Sequence, residues 1–333
     1  MGLATQLDVY GLRIALHGDW PEVVEDVRLD FAWFETSNGA RPPDVELRIE
    51  RGPPRFDDYG ELTARYITPR NVVYQQNGYR IVDYFGRALS VVEGSSVVVQ
   101  GEERHLVHEA AYQYLLSRIG EHLDLTRRPR LHALGLVGKG GGAVAVMLPS
   151  GGGKSTLALR ALEADGVKLL SEDTPLIDRR GRLHPFPLRI GINATDAHRV
   201  PADHVRRIER MEFHPKLVLE LDRFADRIET NPQPLRHIVV GQRSLGTEAR
   251  LEPLPRRGAG AALLREAVIG VGVYQGMEFV LQRGPRDVME KAGVLGTRAL
   301  CCATGLARAQ TWRLTLGRDH ERNWEALAPL LND

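Results

Sequence analysis

Apolar and polar residues alternate in short runs from Tyr10 to Val99. Val45–Ile49 and Ser90–Val92 are two such runs, and clusters of Gly, Pro and Asn separate them. Alternation with a period of two, bounded by turn-forming residues, is typical of strands with one buried face. One helix is predicted over Pro21–Leu29, where proline occupies a tolerated first-turn position. We therefore predict a smaller, β-rich α+β domain over residues 1–124.

The pattern changes after residue 100. Apolar residues recur at helical spacing between Leu106 and Ile119, which predicts a helix over Arg104–Leu123. The charged stretch Asp124–Arg130 is predicted to be a linker. From Leu131 onward, strands of the buried type alternate with helical segments, which is the pattern of an α/β layer. We predict a second domain over residues 125–333.

A glycine-rich segment follows the apolar run Ala143–Leu148, and a helical pattern begins at Lys154. In this strand–loop–helix context, backbone N–H groups and the helix N-terminus face phosphate oxygens, Lys154 reaches the terminal phosphates, and Ser155 can ligate magnesium. The sequence therefore predicts a site for ATP and Mg²⁺. Its expected binding residues are Ser150, Gly151, Gly152, Gly153, Lys154, Ser155 and Thr156.

Leu148 stands where the usual pattern G-x-x-x-x-G-K-[ST] has its first glycine. Without this glycine, the strand must turn into the loop in another way. Pro149 and the three consecutive glycines could form that turn. A chance match and a loop that no longer binds nucleotide are the alternatives.

A second apolar run, Leu131–Val137, is joined to the first by the glycine-rich turn Gly138–Gly142. This arrangement predicts a hairpin. If the turn centres on Gly140, His132 lies opposite Leu148, immediately before the phosphate loop. We expect His132 near the γ-phosphate. A core histidine held by hydrogen bonds is the alternative.

Two acidic residues close the third predicted strand, Val167–Asp173. A right-handed crossover places this strand parallel to Ala143–Leu148, with both C-terminal ends at one edge of the sheet. Glu172 and Asp173 would then approach the phosphates. One carboxylate, expected to be Asp173, would hold magnesium together with Ser155, and the other would accept a proton from a substrate hydroxyl. A solvated turn is the alternative.

Together, His132, the phosphate loop and Glu172-Asp173 resemble the catalytic core of HPr kinase/phosphorylase and its relatives. The order and the spacing are similar, and residues 131–193 carry the resemblance. It implies a mixed sheet around a P-loop core, as in the C-terminal domain of that family. It also implies that Lys154 and Ser155 bind phosphate and metal, and that His132, Glu172 and Asp173 serve metal and acid–base roles. Glu172 replaces the first aspartate of the family.

Gly181–Pro187 looks like a segment of a wider group, the HPr-kinase-related proteins of bacterial biosynthetic clusters. The glutamate-bearing signature of true HPr kinases is not found, and Arg189–Asn193 is at best a remnant of it. We therefore do not expect HPr to be the phosphoryl acceptor.

The leading hypothesis is an ATP-dependent kinase that acts on a hydroxyl of a small molecule, a peptide or a protein serine or threonine. The same groups could run the reverse, phosphorylase reaction. One alternative is a non-catalytic ATP-binding assembly or carrier protein, favoured by Leu148 and Glu172. Another is an enzyme similar to phosphoenolpyruvate carboxykinase, which would need a second metal site.

The sequence also offers candidates for an arginine that could stabilise the transferred phosphate, and it does not establish which of them, if any, has this role. For Arg206, Arg207 and Arg210, a solvated helix face is the favoured interpretation. The candidates are Arg206, Arg207, Arg210, Arg189, Arg236 and Arg243.

Composition sets limits on partners and location. The 44 basic and 43 acidic side chains nearly cancel, so we expect neither nucleic acid nor an anionic membrane as a partner. No apolar run approaches the roughly 18 to 20 residues of a membrane-spanning helix, and the N-terminus lacks the pattern of a signal peptide. Cys301 and Cys302 are adjacent and poorly placed to bridge each other. We predict a cytoplasmic protein and leave a homo-oligomer open.

Overall fold

The structure is a computed structural model that describes residues 5–37, 41–76, 78–210, 215–270 and 285–332. The chain divides into two compact units. The first runs to Glu121 and also takes in Val205–Glu220, and the second contains the other described residues. A hairpin-like segment from the middle of the sequence therefore belongs with the N-terminal residues.

The first unit is built on a mixed eight-stranded sheet in the order β1-β2-β3-β8-β7-β6-β5-β4. β2 and β8 run parallel to β3, and the other neighbours are antiparallel. The strands predicted at Val45–Ile49 and Ser90–Val92 are confirmed as parts of β3 and β7. The eight strands are β1 (Thr5–Val9), β2 (Leu12–Gly18), β3 (Val45–Arg51), β4 (Ala64–Ile67), β5 (Val72–Gln76), β6 (Tyr79–Asp83), β7 (Ala88–Glu93) and β8 (Ser96–Gly101).

Two helices accompany these strands. Helix α1 (Pro21–Asp30) begins with the predicted first-turn proline and buries Val23, Val24 and Val27 on one face. Helix α2 (Arg104–Leu125) extends two residues beyond its predicted end. The linker predicted over Asp124–Arg130 therefore begins inside the last turn of this helix, because Asp124 and Leu125 continue the hydrogen-bonded helix.

The second unit contains a mixed sheet whose central order is β11-β9-β10-β17, with β19 beside β17 and β18 beside β19. The fold is thus mixed α/β. The strands are β9 (Leu134–Val137), β10 (Ala143–Met147), β11 (Lys168–Ser171), β12 (Leu176–Ile177), β13 (Arg182–His184), β14 (Ile190–Ile192), β17 (Gln233–Arg243), β18 (Arg250–Pro253) and β19 (Gln310–Leu316), while β15 (Val205–Ile208) and β16 (Lys216–Leu219) form an antiparallel pair in the first unit.

Four helices belong to the second unit within the described ranges. Helix α4 (Arg256–Leu263) continues into a π-helical turn, Leu264–Val268. No helix in the described part of the chain is both long and apolar enough to cross a membrane. The helices are α3 (Lys154–Glu163), α4 (Arg256–Leu263), α5 (Pro285–Arg308) and α6 (His320–Leu327).

The hairpin of β9 and β10 has the predicted register. Val137 faces Ala143 and Leu134 faces Val146, so the turn centres on Gly140. β9 is antiparallel to both β10 and β11, which makes β10 and β11 parallel, as the crossover rule predicted. β9 lies between them.

The strand ends differ from the prediction. β9 begins at Leu134 rather than Leu131, because the N–H groups of Leu131, His132 and Ala133 donate to the carbonyls of Pro175, Glu266 and Asp173. β11 ends at Ser171, so Glu172 and Asp173 lie in a bend after the strand. The predicted site residues His132, Glu172 and Asp173 therefore lie on irregular backbone next to the ends of strands.

All five residues of β10 are buried, as expected for a strand between two neighbours with both faces covered. Ala143, Ala145 and Met147 belong to a core cluster to which α4 and α5 contribute Leu263 and Cys301. Burying one large aliphatic side chain contributes about 1.5–3 kcal/mol, so this cluster fixes the strand that leads into the glycine-rich loop.

Leu148, which replaces the usual glycine, is 1% exposed and packs against a glycine. β17 runs parallel to β10 and pairs Met147 with Val240, so Gly241 is the neighbour of Leu148. A Cβ atom added to Gly241 would lie 2.2 Å from Cδ2 of Leu148. The missing side chain at Gly241 therefore supplies the space that Leu148 needs.

We expect Gly241→Ala to destabilise the fold by about 1–3 kcal/mol through overpacking against Leu148. In the Gly241→Ala background, Leu148→Ala should cost less free energy than in the wild type, because the smaller side chain relieves the clash. Urea unfolding of the four proteins measures this coupling. Gly246→Ala is the matched control, since an added Cβ there has no heavy atom nearer than 3.5 Å. Additive effects would rule out the proposed packing relation.

Candidate active site

The loop between β10 and α3 requires glycine at three successive positions. Gly151 and Gly153 have φ values of +72° and +110°, in the left-handed region that disfavours side chains. At Gly152, an added Cβ would lie 2.7 Å from the carbonyl oxygen of Pro149. Gly153 then caps α3, which begins at Lys154. The predicted loop thus directs the N-terminus of a helix toward the space beyond β10.

Lys154 points back into the protein, and its side chain is 7% exposed. Its Nζ lies 2.8 Å from the carbonyl oxygen of Leu148, 2.8 Å from Nε2 of His132 and 3.2 Å from Oδ1 of Asp173. An ammonium group has three N–H donors, and these three acceptors satisfy all of them. The structure therefore brings together Lys154, His132 and Asp173.

His132 is buried between two acidic side chains. Its Nδ1 lies 2.7 Å from Oε2 of Glu266, and its Nε2 lies 3.2 Å from Oδ1 of Asp173. With Lys154 donating to Nε2, we assign the ring proton to Nδ1, which donates to Glu266. Glu266 thus favours the tautomer in which the lone pair of Nε2 accepts from Lys154.

The charges around His132 shift its pKa and those of its neighbours. Burial lowers the pKa of His132, but the hydrogen bond and charge of Asp173, with Glu266, outweigh burial and raise it overall. Burial also raises the pKa of Asp173 and of Glu266, yet contact with His132 keeps both below their usual range. Lys154 lowers the pKa of Asp173 further. Both carboxylates are therefore ionised at neutral pH.

The hydroxyl groups of the loop face acids as well. Oγ of Ser155 donates to Oε1 of Glu172 at 2.6 Å, and Oγ1 of Thr156 donates to Oδ2 of the buried Asp196 at 3.1 Å. Ser155 is thus next to Glu172, whereas Asp173 faces Lys154. Within the described ranges, no group of three or more His, Cys, Asp or Glu side chains is arranged to hold a metal ion.

Among the candidate arginines, Arg243 is the one that the described contacts place at the loop. It ends β17, and its Nη1 lies 3.8 Å from the position of a Cβ at Gly153. Arg236 is at the opposite end of the same strand. Arg206 lies in β15 rather than on the predicted solvated helix face, and in the first unit it pairs with Asp26 and with the buried Asp30.

Sequence reasoning missed Glu266 and Asp196. Glu266 is 134 residues away from its partner His132, and Asp196 is 40 residues from Thr156. One signal for Glu266 was present in the sequence, because Arg265 and Glu266 are charged residues between the apolar residues Leu263-Leu264 and Ala267-Val268. A buried acid requires a partner, so such a residue is a candidate for a site. The π-helical turn that carries Glu266 is a further indication, visible only in the structure.

Comparison with models of protein families gives no match to this chain, and comparison with curated protein sequences gives no significant match. The resemblance to HPr kinase/phosphorylase therefore rests on His132, the phosphate loop and the two acids after β11.

Glu266→Gln should lower the pKa of His132, because it removes one of the two negative charges that stabilise the imidazolium. The measurement is an NMR titration of the His132 ring, with its signal assigned from a His132→Gln variant. Glu252→Gln changes an exposed acid on β18 and serves as the control. A His132 pKa that is the same in Glu266→Gln and in the wild type would contradict the assigned contact.

Proposed function

We propose that this chain is an ATP-dependent kinase that transfers the γ-phosphoryl group to a hydroxyl of a small molecule, peptide or protein. The observation that carries the proposal is the convergence of Lys154, His132 and Asp173 beside the N-terminus of α3. A cation for phosphate charge and a proton acceptor for a hydroxyl are the groups that phosphoryl transfer requires.

Nucleotide binding would exchange the partners of Lys154. In the structure, its ammonium is satisfied by Leu148, His132 and Asp173. Phosphate oxygens in the glycine loop would replace these protein acceptors, because they carry more negative charge. The exchange frees Nε2 of His132 and Oδ1 of Asp173 at the point where the phosphates arrive. Binding of ATP would thus activate the proton acceptors.

Asp173 is more accessible to an acceptor than His132, since its side chain is 41% exposed whereas that of His132 is 8% exposed. In the proposed step, the acceptor oxygen bonds to the γ-phosphorus while the bond to the β–γ bridging oxygen breaks, and ADP leaves with that electron pair. The hydroxyl proton passes to Asp173. His132, whose Nε2 is 3.2 Å away, is the next proton acceptor.

Magnesium would fit the oxygen donors of Ser155 and Glu172, because a hydroxyl and a carboxylate are hard ligands. The 2.6 Å contact between Ser155 and Glu172 makes this pair the better-formed half of such a site. When bound, the ion would neutralise charge on the β- and γ-phosphates.

A non-catalytic ATP-binding assembly or carrier protein is the second candidate. The observation in its favour is that Lys154 and Ser155 are already fully engaged by protein acceptors. In such a protein, the exchange of these partners would serve as the signal that nucleotide is bound. The two candidates differ in whether the γ-phosphate moves.

The first test follows γ-labelled ATP in the presence of a pool of hydroxyl compounds and peptides. We expect label in an acceptor with the wild type, and about a hundredfold less with Lys154→Ala or Asp173→Asn, in line with the loss of a charge-stabilising or proton-accepting group. Asp165→Asn, at a side chain that is 95% exposed, is the matched control. Label that leaves ATP only for water would exclude the kinase.

The second test concerns Arg243, which we propose contacts the γ-phosphate. Arg243→Ala should weaken ATP binding about tenfold, the effect of losing one charge-assisted hydrogen bond, and leave ADP binding nearly unchanged. Equilibrium titrations with both nucleotides measure the difference. The control is Arg257→Ala, at an exposed arginine in the first turn of α4. Equal losses for ATP and ADP would place Arg243 elsewhere on the nucleotide.

A further inference from the structure

A cavity in the second unit is lined by four arginines. It lies among the turn between β12 and β13, the start of β17 and the end of α5, and its volume is about 430 Å³. We call it the arginine pocket. Its lining residues are Arg180, Gly181, Arg182, Pro234, Leu235, Arg236 and Arg308.

The positive charge of the arginine pocket is only partly balanced. Asp178 pairs with Arg182, with an Oδ2–Nη2 distance of 2.8 Å, and Oδ2 also lies 2.9 Å from Nε2 of His184. Burial raises the pKa of Asp178, but His184 and Arg182 together with backbone N–H groups lower it to about 2. In the described part of the chain, the side chains of Arg180 and Arg236 have no carboxylate partner.

Contacts with neighbouring residues orient three of the four arginine side chains. Arg182 is oriented by Asp178, and Nη1 of Arg308 donates to the backbone carbonyl of Arg180. The aliphatic part of the Arg236 side chain packs on Gly142, where an added Cβ would lie 2.5 Å from Cγ of Arg236. Each guanidinium has five N–H donors, so most of them remain available to a ligand.

The arginine pocket is separate from the phosphate loop. Arg236 is near the start of β17 and Arg243 is at its end. Seven residues of extended chain span about 23 Å. A ligand of the pocket therefore does not occupy the nucleotide site.

We propose that the arginine pocket binds a compact polyanion that carries phosphate or carboxylate groups. Guanidinium groups recognise both through paired, charge-assisted hydrogen bonds, and Arg182 and Arg308 are already oriented for this. The volume corresponds to a small-molecule ligand. This inference does not depend on the proposed kinase activity.

The experiment measures binding of pyrophosphate and of citrate, each by calorimetric titration in 0.15 M salt with a chelator of divalent ions. It uses the full chain with Lys154→Ala, which weakens any contribution of the phosphate loop. Adding Arg236→Ala and Arg308→Ala should weaken binding at least tenfold. Adding Arg257→Ala instead should leave it unchanged, and Arg236→Lys should cause a smaller loss because it keeps the charge.

The two anions distinguish two chemical classes of ligand, phosphorylated and carboxylate. Tighter binding of pyrophosphate would indicate a phosphorylated ligand and tighter binding of citrate a carboxylate ligand, and either result supports the site. The proposal is overturned if neither anion saturates the protein, or if the double substitution binds as well as its parent. Equal thermal midpoints of all variants show that these exposed substitutions leave the fold intact.

Discussion

The ammonium group of Lys154 joins three segments that are distant in the sequence. Its acceptors belong to Leu148, directly after β10, to His132, two residues before β9, and to Asp173 in the bend after β11. In a buried setting, a lone ammonium is strongly disfavoured, so all three acceptors must be in place. The positions of Leu148, His132 and Asp173 are therefore mutually dependent. The proposed chemistry requires this arrangement, because it places the Lys154 ammonium, the His132 imidazole and the Asp173 carboxylate within hydrogen-bonding distance of one another.

The scaffold makes the arrangement rigid on the side away from solvent. β9 lies between the parallel strands β10 and β11, and backbone hydrogen bonds tie His132 to Glu266 and Ala133 to Asp173. Glu266 therefore holds His132 through both its carbonyl and its carboxylate. These backbone and side-chain hydrogen bonds hold His132 and Asp173 beside Lys154.

Local features could be predicted from the sequence, and distant contacts could not. The register of the β9–β10 hairpin followed from the centre of one short turn, which is a local constraint. The proximity of His132 and Lys154 then followed from the strand–loop–helix order. Glu266 and Asp196 reach the site from separate elements, and no period or spacing relates them to it. The ion pair of Arg206 with Asp30 likewise depends on the tertiary fold. The basic stretch alone favoured a solvated helix face for Arg206.

The packing of Leu148 on Gly241 bears on how phosphate loops are recognised. The usual pattern demands a glycine at the start of the loop, yet here the glycine stands on the neighbouring strand and the leucine on the loop strand. The fold limits the combined side-chain volume at the neighbouring positions 148 and 241. A motif search that reads one strand at a time would discard this loop. A search that reads the pair would retain it, and would treat glycine in either partner as equivalent.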